Sequence, residues 1–588
     1  MRPRTARILL AATLLFTPPV IHAQAAPSAD VCPRPAQGTE VSEPTDLRSH
    51  DGVLTVDLAF RNFHDAAGRM RYCYVDASHV ISPTLRIHPG DLLVLRLKND
   101  LHLPASAPPH THGANPSSVD PCIGGEMSAS ATNLHFHGLA IPSACHQDEV
   151  LKTTIEAESK PFEYRIRIPA DQPPGLYWYH PHLHGFTKDQ VLGGASGALI
   201  IEGIESADHQ VAGLPERVLV IRDEDLLHPN AVPNAATGAA APPVILDHDG
   251  DAQNTGTGTG KPAKDLSINF VSAPYPNYET GVIRMKPSGK EFWRVVNASA
   301  ITYLNLQVLF KGVPQQVGIV AVDGVPINRN GLGGGDIIFQ NHLGVSPGGR
   351  VEFVMNGPPL GTPATFVTRS VNTGPGGEND PTRPIATIVA AADAPATRST
   401  LAGSPAPAPP VDLPWIGKIQ PMRTRKLYFS EKLQDPKDPS SPTTFYLTVD
   451  GQTPKPFDPS STEPNIVVHQ GDVEDWIVEN RSTELHDFHI HQVHFLVLEW
   501  FGIPINEPFL RDTINVPFWD GKSSQFPTVR LRMDFRAANV VGTFPYHCHL
   551  LEHEDGGMMG LITVEPKAAG AGENRHTPPP ASKPSGHQ

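Results

Sequence analysis

The sequence predicts an all-β protein of three consecutive β-sandwich units, on three observations. Proline (62) and glycine (50) fill about a fifth of the 588 positions, against ~12% in an average protein, which favours strands joined by turns over long helices. A turn, an apolar β-rich strand and a closing Asn recur at Gly90–Asn99, Gly289–Asn297 and Gly471–Asn480. The copies begin 199 and 182 residues apart, about one sandwich domain each.

The elements follow in chain order. Arg2, Arg4 and Arg7 precede an apolar run from Ile8 to Ile21 and then Ala23-Gln24-Ala25. That pattern predicts a secretory signal over residues 1–25, cut after Ala25, and export to the periplasm or the medium. The run is too short and too interrupted by Pro18-Pro19 for a membrane anchor. The first unit is expected over 26–205, the second over 206–395 and the third over 422–566. A Pro/Ala-rich linker (396–421) separates the last two, and 567–588 reads as a disordered tail that includes His576 and His587. Two low-complexity stretches of the second unit, near Gly250–Gly260 and Asn372–Pro384, are expected to be surface loops.

Each repeated strand follows a shorter one: Leu85–Ile87, Val282–Met285 and Ile466–Val468. A second repeat joins only the outer units. Gly175–His182 matches Gly542–His549 position for position, and each is followed by a Gly-led apolar strand, Gly197–Ile201 and Gly560–Val564. Chemistry is therefore expected in the first and third units.

Composition excludes several classes. A net charge of −15 argues against a large nucleic-acid surface. The 39% hydrophobic content, carried in short runs, predicts no membrane span and no wholesale disorder. Export would place the five cysteines in an oxidising compartment. Cys32, Cys73, Cys122 and Cys145 allow three pairings. Cys32–Cys73 with Cys122–Cys145 is preferred because each bond closes a modest loop. Cys548, between two histidines, needs another explanation.

Histidine is that explanation. The chain has 28 His and six His-x-His pairs, where chance gives about 1.3. Residues two apart on a strand share a face, so each pair offers two imidazoles side by side. Pair 110/112 lies in a Pro- and Ser-rich stretch and reads as loop. His135/His137 sits at a strand edge. In His180-Pro-His182-Leu-His184 the repeat assigns ligand duty to His180 and His182, leaving His184 a packing or supporting role. The third unit offers His486, His489 and His491, then His547-Cys548-His549, His553 and Met558. Alternation turns Cys548 away from His547 and His549. Two His, one Cys and a weak Met donor form the ligand set of a blue-copper site, here Cys548, His486, His553 and Met558. A structural zinc would not call for four such pairs.

These four motifs (His135-x-His137-Gly, His180-x-His182, His486-x-x-His489-x-His491, and His547-Cys548-His549 with His553 and Met558) resemble those of the multicopper oxidases, the family of laccases, bilirubin oxidases and bacterial cuprous oxidases. The resemblance implies three cupredoxin-like Greek-key β-sandwich domains and four copper ions. His486, Cys548, His553 and Met558 would hold the type 1 copper. His135 and His489 would hold type 2, and His137, His180, His182, His491, His547 and His549 the type 3 pair. The cluster should lie between the first and third domains. Electrons from a small reducing substrate would reduce O2 to water. Glu554 and Asp148 match acidic positions implicated in proton delivery, with Glu149 a rival to Asp148.

The reducing substrate is less legible. Only 9 Met occur, without the Met-rich insertion that would suit Cu(I). That favours a laccase-like oxidase of phenols or aromatic amines over a Cu(I) or Fe(II) oxidase. A non-catalytic copper-binding protein of the same fold is the remaining alternative. The Ile503–Asp520 loop, with Glu507, Arg511 and Asp512, is a candidate substrate rim. A monomer is expected.

Overall fold

The computed structural model describes residues 32–102, 120–124, 127–230, 256, 258–327, 337–394, 413–435, 437, 441–505, 507 and 509–567. The signal segment, the 110/112 pair, the tail beyond 567, residues 396–412 of the linker and nearly all of 250–257 lie outside the described residues. The rest is almost entirely β. Among the described residues no helix is long and apolar enough to cross a membrane.

Among the described residues the larger sheets come in three successive pairs, of four and five strands, eight and six, and six and five, and a two-stranded ribbon joins Ala131–Thr132 to Ile155–Glu156. Each pair encloses its own apolar core, one around Phe60, Tyr164 and Leu199, one around Trp293 and Phe366, and one around Trp476, Phe488 and Tyr546. The repeated strands, Leu92–Asn99, Lys290–Asn297 and Val473–Asn480, take equivalent central places. Each lies between one parallel and one antiparallel neighbour. Their closing Asn residues share a job beyond ending a strand. Each is fully buried, and its amide donates to two backbone carbonyls: Ser130 and Ile155 for Asn99, Thr302 and Val345 for Asn297, Glu484 and Val516 for Asn480. The oxygen accepts the backbone N–H two residues on. An Asn at this position thus satisfies the backbone groups of the loop it meets, which would otherwise be buried unpaired.

The second repeat is equally visible. His135–His137 pairs antiparallel with Gly175–His180, and that strand pairs with Gly197–Ile201. His486–Ile490 pairs in the same sense with Gly542–Cys548, which pairs with Met559–Glu565. Cys32 is bonded to Cys73 and Cys122 to Cys145, while Cys548 is a buried free thiol.

One expectation fails. The Asn372–Pro384 stretch is not a surface loop throughout: Thr373, Asn379 and Asp380 are buried. The Thr373 carbonyl accepts from Leu485 N–H at 2.7 Å, and Asp380 accepts from Tyr303 N–H at 3.0 Å. Gly374, at φ +98°, leaves no room for a side chain, since a Cβ there would lie 2.3 Å from the Thr483 carbonyl. Glycine here serves close approach between sandwiches, not exposure. The end of the Pro/Ala-rich linker also docks, with Ile416 buried against Val473 and Leu496.

Candidate metal centre

Two groups of donors form where strands of the third sandwich end. Cys548 closes the Gly542–Cys548 strand, His486 opens the paired one, and His553 lies on the short helix Leu551–Asp555. The Cys548 thiol is 3.6 Å from His486 Nδ1 and 3.7 Å from His553 Nδ1, and those two nitrogens are 3.1 Å apart. Met558 is fully buried, and its carbonyl accepts from Cys548 N–H. The Asp487 N–H donates to the Cys548 sulfur at 3.5 Å. Burial pushes the thiol pKa well up, so a thiolate there requires a cation beside it.

The distal ring nitrogens of this group meet groups not singled out from the sequence. His486 Nε2 is 2.7 Å from Ser482 Oγ and 2.9 Å from a Glu431 oxygen, and His553 Nε2 is 2.7 Å from a Glu484 oxygen. Phe445 stacks on the His553 ring at 4.3 Å. No motif marks these residues, because they come from two paired strands, Arg423–Leu433 and Thr443–Val449, and a turn.

The second group gathers eight histidines from two sandwiches: His135, His137, His180 and His182 from the first, and His489, His491, His547 and His549 from the third. All are at most 2% exposed. His547 Nε2 lies 3.3 Å from His182 Nε2 and 3.2 Å from His491 Nε2. Trios such as His182, His491 and His547, or His135, His137 and His180, could each hold one ion. Desolvation is the largest cause of their lowered pKa values, about 3 for His180 and about 4 for His547. They are therefore neutral, as metal donors must be.

Several rings have one nitrogen held and the other unpartnered. His135 Nδ1 is 3.0 Å from both Asp148 oxygens, His180 Nδ1 is 2.8 Å from the Pro181 carbonyl, and His489 Nδ1 is 2.8 Å from the Asp512 carbonyl. His137 reverses the roles, its Nε2 lying 3.2 Å from Asp512 Oδ1. The opposite nitrogens (Nε2 of His135, His180 and His489, and Nδ1 of His137) are buried without a hydrogen-bond partner. Buried polar atoms are rarely orphaned. One nitrogen oriented by an oxygen and the other empty is the habit of a metal-ligating histidine. The residues therefore fit a metal group, and thiolate with imidazoles is a donor set that copper accepts.

Two carboxyls border the cluster. The Glu554 oxygens are 3.5 Å from His182 Nδ1 and 3.4 Å from His547 Nδ1, and burial, then Asp555, holds its pKa well up. Asp148 accepts from Phe136 N–H and Gln492, and burial pushes it up to about 8. Glu149 instead accepts from backbone N–H groups of its own loop, Leu151 to Thr153. His184 stays apart from the cluster and packs edge-on against Phe457.

The Ile503–Asp520 loop divides. Glu507 and Arg511 pair at 2.7 Å and line a cavity of about 350 Å³ between the second and third sandwiches, with Tyr303, Ser346, Leu485 and Trp500. Asp512 is 1% exposed and faces the histidines. It is no part of a rim.

Comparison with known proteins agrees with this geometry. Two models described as multicopper oxidase match residues 126–206 and 436–568, the stretches that hold the two groups. A multicopper oxidase of Staphylococcus aureus is 22% identical over 83% of this chain and 82% of its own. A Bacillus subtilis laccase is 21% identical over 74% and 79%. Among solved structures, a Campylobacter jejuni multicopper oxidase described as a metallo-oxidase gives a TM-score of 0.60 at 23% identity, covering 90% of this chain and 96% of that one. The Aquifex aeolicus enzyme gives 0.61 at 17%, covering 90% and 99%. With its donor residues gathered where these models match, the chain carries two multicopper oxidase domains, and it is an oxidoreductase.

Proposed function

We propose that this is an exported laccase-like oxidase, acting as a monomer, that couples four one-electron oxidations of phenols or aromatic amines to reduction of O2 to water. His486, Cys548, His553 and Met558 would hold a type 1 copper. His135 and His489 would hold type 2, and His137, His180, His182, His491, His547 and His549 the type 3 pair. When bound, copper at the thiolate supplies a one-electron relay, and the three ions among the histidines supply a place for O2 to take four electrons.

The observation that carries this reading is the run His547-Cys548-His549. Strand alternation aims its sulfur at one donor group and its two imidazoles at the other, all three residues fully buried. The covalent path from one group to the other then crosses a single peptide bond. Glu554, kept protonated towards neutral pH by burial, holds a proton beside His182 and His547, and Asp148 stands beside His135. The cavity lined by Tyr303, Leu485 and Trp500 adjoins the residue preceding His486 and would admit an aromatic donor.

A Cu(I) or Fe(II) oxidase is the second reading. Glu431 and Glu484, beside the outer nitrogens of His486 and His553, are the anionic groups that would favour it. Copper-loaded protein should be blue and should consume O2 with 2,6-dimethoxyphenol. Turnover on that donor, on Fe(II) and on Cu(I), compared side by side, separates the readings. A protein that stays colourless after full loading contradicts both.

A further inference from the structure

We propose that Arg350, which lies in the sandwich that supplies no donor, is a positioning residue for His137. Arg350 is 1% exposed, and its guanidinium is bonded to all three sandwiches. Nη1 and Nη2 grip the two Asp512 oxygens at 2.7 and 2.5 Å, Nε donates to the Leu176 carbonyl at 3.3 Å, and Nη1 also donates to the Gly348 carbonyl at 3.0 Å. Asp323 of the same sandwich braces both partners. One of its oxygens accepts from Arg350 N–H, and the other from the N–H groups of Asp512 and Thr513 and from Thr513 Oγ1. His494 Nε2 completes the surroundings, 3.4 Å from Asp512 Oδ2 and 3.0 Å from the Asp323 carbonyl.

The consequence falls on one ring. A two-pronged grip fixes the plane of a carboxylate as no single point charge can. So held, Asp512 keeps Oδ1 at 3.2 Å from His137 Nε2 while its carbonyl takes His489 Nδ1. A proton on Nε2 leaves the lone pair on Nδ1, the nitrogen with no protein partner. The second sandwich also shapes the site sterically. Gly348, at φ +79°, lies so close that a Cβ would be 2.8 Å from the His549 ring and 3.1 Å from His137. A domain without donors thereby decides how a donor of the first domain is presented.

This inference rests on the copper reading above, and two readouts keep them apart. Copper titration of wild type, Arg350→Met and Arg350→Lys should leave the blue Cys548 signal intact in all three. Affinity for cluster copper should fall about 10–100-fold in Met, the usual effect of losing an outer partner of a ligand. Lys, which restores charge but not the fork, should recover only part of it. In metal-free crystals, Asp512 should leave His137 Nε2 in both variants and the His137 ring should turn. Should Met not fold, Lys alone decides. Cluster affinity at the wild-type level in the folded variants, or His137 and Asp512 superposing on wild type, would overturn the inference. A wild type that takes up no copper would fail the functional reading, while the metal-free crystals still judge the clamp.

Discussion

Replacing Glu554 by Gln tests proton supply at the cluster without disturbing its shape. The carboxyl is fully buried, with oxygens 3.5 and 3.4 Å from His182 and His547. The amide occupies the same volume, so the fold should lose no more than about 1 kcal/mol. What it loses is a transferable proton. A positioned acid is worth about 100- to 10,000-fold, or about 3–5 kcal/mol of barrier. Because Glu554 touches histidines of the cluster and none of the Cys548 group, only the oxygen half-reaction should slow. The assay is stopped flow in two halves. Anaerobic reduction by a phenol, followed as bleaching of the blue colour, should proceed at the wild-type rate. Reoxidation of the reduced enzyme by O2 should slow at least 100-fold. Reoxidation at the wild-type rate would refute the proton-supply argument, and slowed bleaching would refute the assignment of Glu554 to the cluster side.

Three further outcomes are expected. Cys548→Ser should fold, lose the blue colour and lose turnover, since the hydroxyl cannot replace the thiolate; retained colour in the absorption spectrum would contradict the sulfur assignment. Asn480→Ala removes donations to Glu484 and Val516 and an acceptance from Ser482 N–H. The same oxygen also accepts from Ser482 Oγ; at about 1 kcal/mol for each of the four bonds, the change should cost about 4 kcal/mol in denaturant unfolding and shift the blue band, because it frees the turn before His486. Metal-free protein should be acid-sensitive. His180 and His547, depressed by burial to about 3 and about 4, stay neutral in the fold while the unfolded chain protonates them near 6.5. Their contribution is present above pH 6.5 and is lost progressively as pH falls towards 3–4, so unfolding midpoints should drop across that window and copper loading should reduce the drop.

The sequence makes the histidines legible because strand alternation is a local rule: His547, Cys548 and His549 need only their own order to be assigned to opposite faces. The repeated Asn is legible as a boundary but not as the fully buried staple it is, since its partners lie 31 and 56 residues away for Asn99. Asp512 is misjudged as a rim residue for a similar reason. Composition places it in a loop beside Arg511, and nothing local tells which of the two faces the cavity. Arg350, Asp323 and Gly348 carry no motif, because their partners belong to other sandwiches and spacing along the chain does not encode docking between domains. The Asn372–Pro384 segment shows the opposite error, its glycine content suggesting exposure when Gly374 is there to let two backbones meet.

Anomalous scattering at the copper edge from crystals of the loaded protein tests the central claim most directly. Four peaks are predicted, one enclosed by His486, Cys548 and His553 and three among the eight histidines between the first and third sandwiches. A single occupied site, or metal bound elsewhere with the orphaned nitrogens of His135, His137, His180 and His489 still empty, would contradict it.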